Sequence, residues 1–255
     1  MPFSKFKKYG LLLLKSRNFL SDKEYILIIS HMRSRSTLLS HILGSNTEIC
    51  GYRELHLPYA KRLSLLKMRA ALQSCENYES CNYFLDKVLH NKLDVDTAIF
   101  KGKLKTLILV REPFGTVRSM FNMHQQLYGA NSYLHLINYY TDRINYITSF
   151  AYANEKKFLF VDSESLVNDT EKTLGSISQY LGLRTQLSAK YRQFSETGVA
   201  GSGDPGKNIT AGKIIKTTDG LGNYEITESD KNKLLTAYSQ CKVTLVDLGI
   251  HLKAY

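Results

Sequence analysis

Two segments of the chain place arginine and hydroxyl side chains directly after apolar runs that are typical of buried strands. The first segment, Ser30-His-Met-Arg-Ser-Arg-Ser-Thr37, follows the run Tyr25–Ser30 and precedes helically spaced leucines. A strand, a tight turn and a helix start leave backbone N–H groups available, and the helix dipole adds to their attraction for phosphate. Arg33 contributes a bidentate donor, and Ser36 and Thr37 contribute hydroxyls. The segment predicts an anion site, with a βα turn and a routine helix cap as the alternative.

The second segment, Val110-Arg-Glu-Pro-Phe-Gly-Thr-Val-Arg-Ser-Met120, repeats this arrangement. Arg111 ends a second apolar run, and Arg118 and Ser119 follow one or two helical turns later. Two arginines and a serine near one helix start suit a second phosphate. A structural arginine paired with Glu112 is the alternative.

Apolar runs alternate with helically spaced segments along the chain. Strands are predicted at 25–30, 106–110 and 158–161, and helices at 57–74, 83–93, 133–153, from Asp169 to Gly182 and from the capping box Thr227–Asp230 to about Leu248. This alternation predicts an α/β fold with a central parallel sheet between helical layers, a three-layer α/β/α architecture. Ligands of such sheets bind beyond the carboxyl ends of the strands, which places both arginine segments at one edge.

Composition narrows the class of protein further. The chain has 255 residues, 43% hydrophobic and 22% charged, which suits one globular α/β domain. Its net charge of +11 favours anionic partners such as nucleotides, acidic glycans or a membrane surface, although solubility alone is the plainer explanation. No nucleic-acid-binding motif is present. The four cysteines form no CxxC pair, so neither a zinc site nor a disulfide framework is expected, and a cytoplasmic location is predicted.

The predicted organisation is an N-terminal basic segment, 1–24, followed by a single domain, 25–255. The leucine run Leu11–Leu14 is too short to span a bilayer. A surface helix or frayed tail is the preferred interpretation, and peripheral membrane contact is the alternative. Residues 195–223 are rich in Gly, Ser and Thr and are expected to form a lid or active-site loop. The sequence does not indicate an oligomeric state.

Taken together, the two arginine segments resemble the 5′-phosphosulfate loop and the 3′-phosphate segment of sulfotransferases that use 3′-phosphoadenosine-5′-phosphosulfate (PAPS). Arg33-Ser-Arg-Ser-Thr-Leu38 is similar to the Arg-Ser-Gly-Ser/Thr-Thr-Leu of carbohydrate and tyrosyl-protein members. Arg111-Glu-Pro113 with Arg118-Ser119 is similar to their Arg-(Asp/Glu)-Pro and Arg-Ser pair. A third similarity runs from Val161 to Leu183, so the resemblance spans about 25–185. It looks closest to bacterial stand-alone enzymes, with Arg35 in the place of the loop glycine.

The resemblance implies a P-loop-NTPase-like fold, PAPS as co-substrate and 3′-phosphoadenosine 5′-phosphate (PAP) as product. The segment Gly203-Asp-Pro-Gly-Lys-Asn208 also resembles a loop of related bacterial enzymes. No metal is implied, because no group of His, Cys and carboxylate residues has ligand spacing in the sequence. The nucleotide contacts implied are Arg33, Ser34, Arg35, Ser36, Thr37, Leu38, Arg111, Ser119, Lys207 and Asn208.

Sulfuryl transfer is an in-line displacement in which the acceptor hydroxyl loses a proton, so a general base and cations near the leaving oxygen are needed. Glu54 stands where related enzymes place a catalytic glutamate; a surface carboxylate paired with Arg53 is the alternative, and His56 is the rival base. Lys87 is the candidate for the bridging oxygen, with a solvated helix lysine as the alternative. Arg33 would share this leaving-group role.

The function predicted is sulfuryl transfer from PAPS to a hydroxyl of a carbohydrate, glycolipid or small-molecule acceptor. The tyrosines between Tyr128 and Tyr152 are expected in the core, with an acceptor groove as the alternative. A P-loop-like nucleotide kinase is a second hypothesis; it lacks the Walker lysine pattern, and only Asp162 after the third strand supports it. A non-enzymatic binder of acidic glycans is a third, supported by net charge alone.

Overall fold

Five parallel strands form the sheet in the part of the chain that the computed structural model describes, which is residues 23–128, 133–199, 204, 206–216 and 226–252. The side chains of 125–128 and 207 lie outside the description. Most of the N-terminal segment and much of the expected lid also lie outside the described residues. The strands stand in the order β2-β3-β1-β4-β5. Their bounds are β1 Glu24–Ser30, β2 Ile49–Cys50, β3 Tyr83–Val88, β4 Leu104–Val110 and β5 Phe158–Asp162.

Helices cover both faces of this sheet. They are α1 Ser36–Gly44, α2 Arg62–Leu72, α3 Pro113–Tyr128, α4 Leu134–Ala153, α5 Ser163–Asn168, α6 Thr170–Leu181 and α7 Glu228–Leu248, with 3₁₀ turns at Thr97–Phe100 and Lys207–Ala211. Gly182 ends α6 in the left-handed conformation at φ 69°, and the Thr227 hydroxyl caps α7. Among the described helices, none combines the length and the apolar character that a membrane span requires.

Alternate residues of β1 enter two separate hydrophobic cores. Ile26 and Ile28 belong to the core beneath α1 and α6. Leu27 and Ile29 belong to the core beneath α4 and α7. Because β1 is buried on both faces, it needs a continuous apolar run. The predicted three-layer α/β/α architecture is therefore confirmed.

The helix predicted over 83–93 is wrong, because residues Tyr83–Val88 form β3. All six residues of this strand are buried, including the charged pair Asp86 and Lys87. These two charges interrupted the apolar pattern that identifies a buried strand. Asp86 accepts hydrogen bonds from the Tyr59 hydroxyl and from the backbone N–H of Leu55 at 2.9 Å, and burial raises its pKa to about 7.

The carboxyl ends of β1, β3 and β4 meet at one edge, with Ser30 beside Leu109. The fully buried Arg143 of α4 donates there to the carbonyl of Ser30 at 2.7 Å, to that of His90 at 3.1 Å and to that of Val88. One guanidinium therefore joins the ends of β1 and β3, and both arginine segments follow this edge, as the sequence predicted.

Candidate active site

The turn after β1 is unusually tight for a segment without glycine. Arg33 and Arg35 both adopt the left-handed conformation, at φ 60° and 69°. The side chain of Arg35, the N-cap residue of α1, makes no capping hydrogen bond. Ser34 is held from both sides: its hydroxyl lies 2.6 Å from that of Ser30, and its carbonyl accepts from the Ser163 hydroxyl at 2.9 Å. The turn thus presents the start of α1 toward the sheet edge, as an anion site requires.

Arg33 links this turn to the second arginine segment and to the expected lid. Its Nε donates to Ser119 Oγ at 2.8 Å, and its Nη1 pairs with Asp204 Oδ1 at 2.9 Å. Arg111 Nη1 in turn donates to the Arg33 carbonyl at 3.3 Å. The structure therefore brings Arg33, Arg111 and Ser119 together, with the Asp204 carboxylate at the guanidinium that a phosphate would use.

Arg35 points toward the start of α5. Its Nη1 donates to Glu164 Oε1 at 2.7 Å and to the hydroxyl and carbonyl oxygens of Ser163 at 3.0 and 3.1 Å. Arg111 Nε lies 3.7 Å from the same Glu164 oxygen. The residue that replaces the loop glycine thus ties the turn to α5, and one carboxylate faces two of the predicted phosphate-binding arginines.

Buried groups that the sequence did not single out hold the second segment in place. His31 Nε2 accepts from the Arg111 backbone N–H at 3.0 Å, while Nδ1 donates to the Met32 carbonyl at 2.9 Å. Burial lowers the pKa of His31 to about 4, so the ring is neutral and can accept. The buried Tyr140 hydroxyl donates to the Arg111 carbonyl at 2.9 Å, and that of Tyr139 donates to the Leu89 carbonyl at 2.7 Å. These two tyrosines support the site from the core.

Glu54 lies in a pocket with two histidines. Its side chain is 7% exposed, and its Oε1 lies 3.2 Å from His56 Nδ1 and 3.3 Å from His90 Nε2. The alternative pairing of Glu54 with Arg53 does not occur, because Arg53 pairs with Glu196 instead. His90 was missed by the sequence reasoning. Its signal, a histidine after a strand end, was hidden because β3 was taken for a helix.

Lys87 joins this pocket to the anion turn. It is fully buried in β3, and its Nζ donates to Thr37 Oγ1 at 3.2 Å. The alternative of a solvated helix lysine is therefore wrong. Burial lowers the pKa of Lys87, while the charges of Glu54 and Asp86 oppose that shift. The Lys87 amine thus contacts the first turn of α1 and interacts electrostatically with the candidate base.

Other predicted site residues lie less centrally. Asn208 is exposed, and its carbonyl accepts from the Tyr191 hydroxyl at 3.4 Å; the Lys207 side chain is outside the described residues. Ser36 is buried at the start of α1, and Leu38 is partly buried two residues later. Asp162, which supported the kinase hypothesis, caps α5 and pairs with Lys242 at 2.7 Å, so it has a structural role.

Comparison with known proteins shows the family to which the chain belongs. Residues 23–197 match the sulfotransferase domain family, and the chain belongs to that family. It is similar in fold to the sulfotransferase domain of the Synechococcus PCC 7002 olefin synthase, at 20% identity and TM-score 0.53, over 86% of this chain and 96% of that one. It is also similar to mouse sulfotransferase SULT7A1 complexed with PAP, at 15% identity and TM-score 0.52, over 92% and 88% of the two chains. No curated protein matches the sequence.

Membership of this family makes the protein a PAPS-dependent sulfotransferase. Its fold is the P-loop-NTPase-like α/β fold of its structural neighbours, as the resemblance implied. The kinase and the non-enzymatic binder are set aside by this family membership.

Proposed function

We propose that this enzyme transfers the sulfuryl group of PAPS to a hydroxyl of a carbohydrate, glycolipid or small-molecule acceptor, with Glu54 as the general base. The observation that carries the proposal is the position of Glu54, a buried carboxylate whose charge acts on Lys87, which itself reaches Thr37 in the anion turn. A base and a cation on either side of a reacting centre are what in-line transfer needs.

In the proposed mechanism, the turn Ser30–Thr37 holds the 5′-phosphosulfate, while Arg111 and Ser119 hold the 3′-phosphate. The acceptor oxygen forms a bond to sulfur as the bond from sulfur to the bridging oxygen breaks, and Glu54 takes the hydroxyl proton. Arg33 and Lys87 stabilise the charge that develops on the departing phosphate of PAP. Because no covalent intermediate is needed, positioning and electrostatics supply the rate enhancement.

The acceptor is proposed to approach along the segment that follows Glu54. On α2 and just before it, Lys61, Arg62 and Lys67 are exposed, and the nearby Leu63 side chain is 58% exposed. Basic and apolar groups on one exposed helix favour an acceptor that carries both negative charge and an apolar part. A glycolipid meets this description better than a neutral small sugar.

We further propose that 25–255 act as one domain in which 195–223 close over the nucleotide. Two ion pairs support this, Glu196 with Arg53 and Asp204 with Arg33, because both connect the segment to residues beside the site. Phosphosulfate binding would displace Asp204 from Arg33, since both anions need the same guanidinium.

The test combines binding and turnover. PAP, but not ATP, is expected to bind the wild type in calorimetry. Glu54→Gln is expected to keep PAP affinity while turnover of labelled PAPS with an acceptor panel falls at least about 100-fold, the usual contribution of a general base. Lys231→Ala, which removes an exposed ion pair on α7, is the matched control and should leave both unchanged.

Full activity of Glu54→Gln would make the base assignment wrong. In that event, a loss of activity in His90→Gln or His56→Gln would transfer the role to that histidine. Failure of PAP to bind the wild type would instead contradict the assignment of the anion turn.

A further inference from the structure

The pocket around Glu54 has the dimensions of a metal site. One ligand atom from each of Glu54, His56 and His90 can be chosen so that all three lie within 4.8 Å of one another. The carboxylate oxygen is 3.2 and 3.3 Å from the two ring nitrogens. Tetrahedral Zn²⁺ with bonds near 2.0–2.1 Å holds neighbouring ligand atoms about 3.3 Å apart. The two distances therefore match the spacing of neighbouring ligand atoms around zinc.

A second observation concerns the Glu54 carboxylate itself. Its Oε1 is buried and receives no well-aligned hydrogen bond from the described residues, although two histidine nitrogens stand near it. A buried carboxylate oxygen without a donor is costly, and a cation bound there would remove the cost. The pocket is also open, since the side chains of His56 and His90 are 52% and 38% exposed and their rings stack at 5.7 Å.

We propose that Glu54, His56 and His90 bind Zn²⁺ with a fourth position open to solvent, and that the bound ion inhibits sulfuryl transfer. Two imidazoles and one carboxylate are a common three-ligand set for zinc. The ion is an inhibitor and not a cofactor, because it occupies the carboxylate oxygen that takes the proton. The inhibitory part rests on the proposed role of Glu54, whereas the binding part does not.

The nearby charges decide which ions bind. Lys87 and Arg143 interact with Glu54 electrostatically, and Asp86 offsets them in part. The electrostatic potential in the pocket is therefore not strongly negative, and charge alone would not attract every divalent cation. Affinity must come from the imidazoles, which favour Zn²⁺, whereas Mg²⁺ prefers oxygen ligands and its own water shell.

Calorimetry of the full chain without nucleotide tests the binding part, since PAP would itself chelate metal. The wild type is expected to bind one Zn²⁺ at this site and not to bind Mg²⁺. His56→Gln and His90→Gln should each weaken Zn²⁺ binding at least about tenfold. His124→Gln is the matched control, because the rings of His124 and His135 also lie together, with centroids 5.0 Å apart, but belong to no three-ligand group in the described ranges. Cys75→Ser controls for zinc on thiols, and circular dichroism verifies folding.

Inhibition is measured as turnover against Zn²⁺ concentration, with loss of activity expected to follow occupancy. Unchanged Zn²⁺ affinity in both histidine variants, or no binding by the wild type, would overturn the site and leave the Glu54→Gln test of the base unaffected. Zinc that binds through both histidines without slowing turnover would overturn the inhibitory part and would also count against Glu54 as the base.

Discussion

Arg35 holds a backbone conformation that glycine adopts with less strain. At φ 69° its Cβ approaches the backbone, which costs roughly 1–2 kcal/mol in an L-residue. Its guanidinium offsets part of this cost through Ser163 and Glu164, although Glu164 is 42% exposed and its ion pair is weakened by water. Arg35 in place of the family's glycine thus adds backbone strain to the turn, but its side chain connects the turn to α5.

Two substitutions of Arg35 separate the backbone strain from the side-chain contacts with α5. Arg35→Ala loses the contacts and keeps the strain, whereas Arg35→Gly loses the contacts and relieves the strain. We expect Arg35→Gly to be more stable than Arg35→Ala by about 1 kcal/mol in urea unfolding. An alanine variant as stable as the glycine variant would mean that the turn is not left-handed at this residue.

At the scale of elements, the sequence predicted the strands that are continuous apolar runs and missed the one that carries two charged residues. β1, β4 and β5 are continuous apolar runs, which a doubly covered parallel sheet requires. β3 was missed because Asp86 and Lys87 are satisfied by tertiary partners that no local pattern reveals. β2, with two residues, carries too little signal to find.

The site divides in the same way. The anion turn and the Arg111 segment are contiguous motifs, so their common place at the sheet edge could be predicted. Glu54 was named from the family resemblance, and its role as the base stays a prediction. His90 and Arg143 could not, because their roles depend on contacts between α4 and the ends of β1 and β3. In the sequence, Arg143 has the pattern of an ordinary helix arginine, and only the tertiary structure shows its contacts with the strand ends.

Arg143 is expected to hold the strand ends together. Arg143→Met leaves the carbonyls of Ser30, Val88 and His90 without their buried donor. Each unsatisfied buried group costs about 1–3 kcal/mol, so we expect a loss of about 3 kcal/mol or more in the free energy of unfolding. Arg62→Met, at an exposed position of α2, should change it by less than about 0.5 kcal/mol. Similar effects of the two substitutions would contradict the structural role of Arg143.

At the scale of the whole molecule, buried titratable groups set the response of stability to acid. Burial lowers the pKa values of His31 and His41 to about 4, whereas it raises that of Asp86 to about 7. Below pH 6.5 the two histidines bind protons in the unfolded chain, whereas in the folded chain they stay neutral until about pH 4. The folded chain keeps a proton on Asp86 that the unfolded chain has released above pH 4. On acidification the two histidines lower the free energy of unfolding, whereas Asp86 raises it, so the net effect is that of one histidine.

Stability is therefore expected to fall as the pH is lowered from 6.5 to 5, with a slope that approaches about 1.4 kcal/mol per pH unit, the value for one net proton, once the unfolded histidines are fully protonated. His31→Gln removes one histidine and should make the slope nearly flat. Unfolding free energies measured at several pH values give these slopes, independently of any constant loss of stability in the variant. An unchanged slope in His31→Gln would show that His31 is not the neutral acceptor of the Arg111 N–H.

The strand order has a consequence for how the chain is made. β1 is the central strand, yet its neighbours β3 and β4 both come later in the sequence. While the polypeptide is being synthesised, Ile26–Ile29 has no partner until Tyr83–Val88 has emerged, and its other side stays unpaired until Leu104–Val110 has emerged. Pairing between distant segments is slow, and an unpaired apolar strand is prone to associate with other chains. Nascent chains that stop before β4 are thus the ones that should need chaperones most.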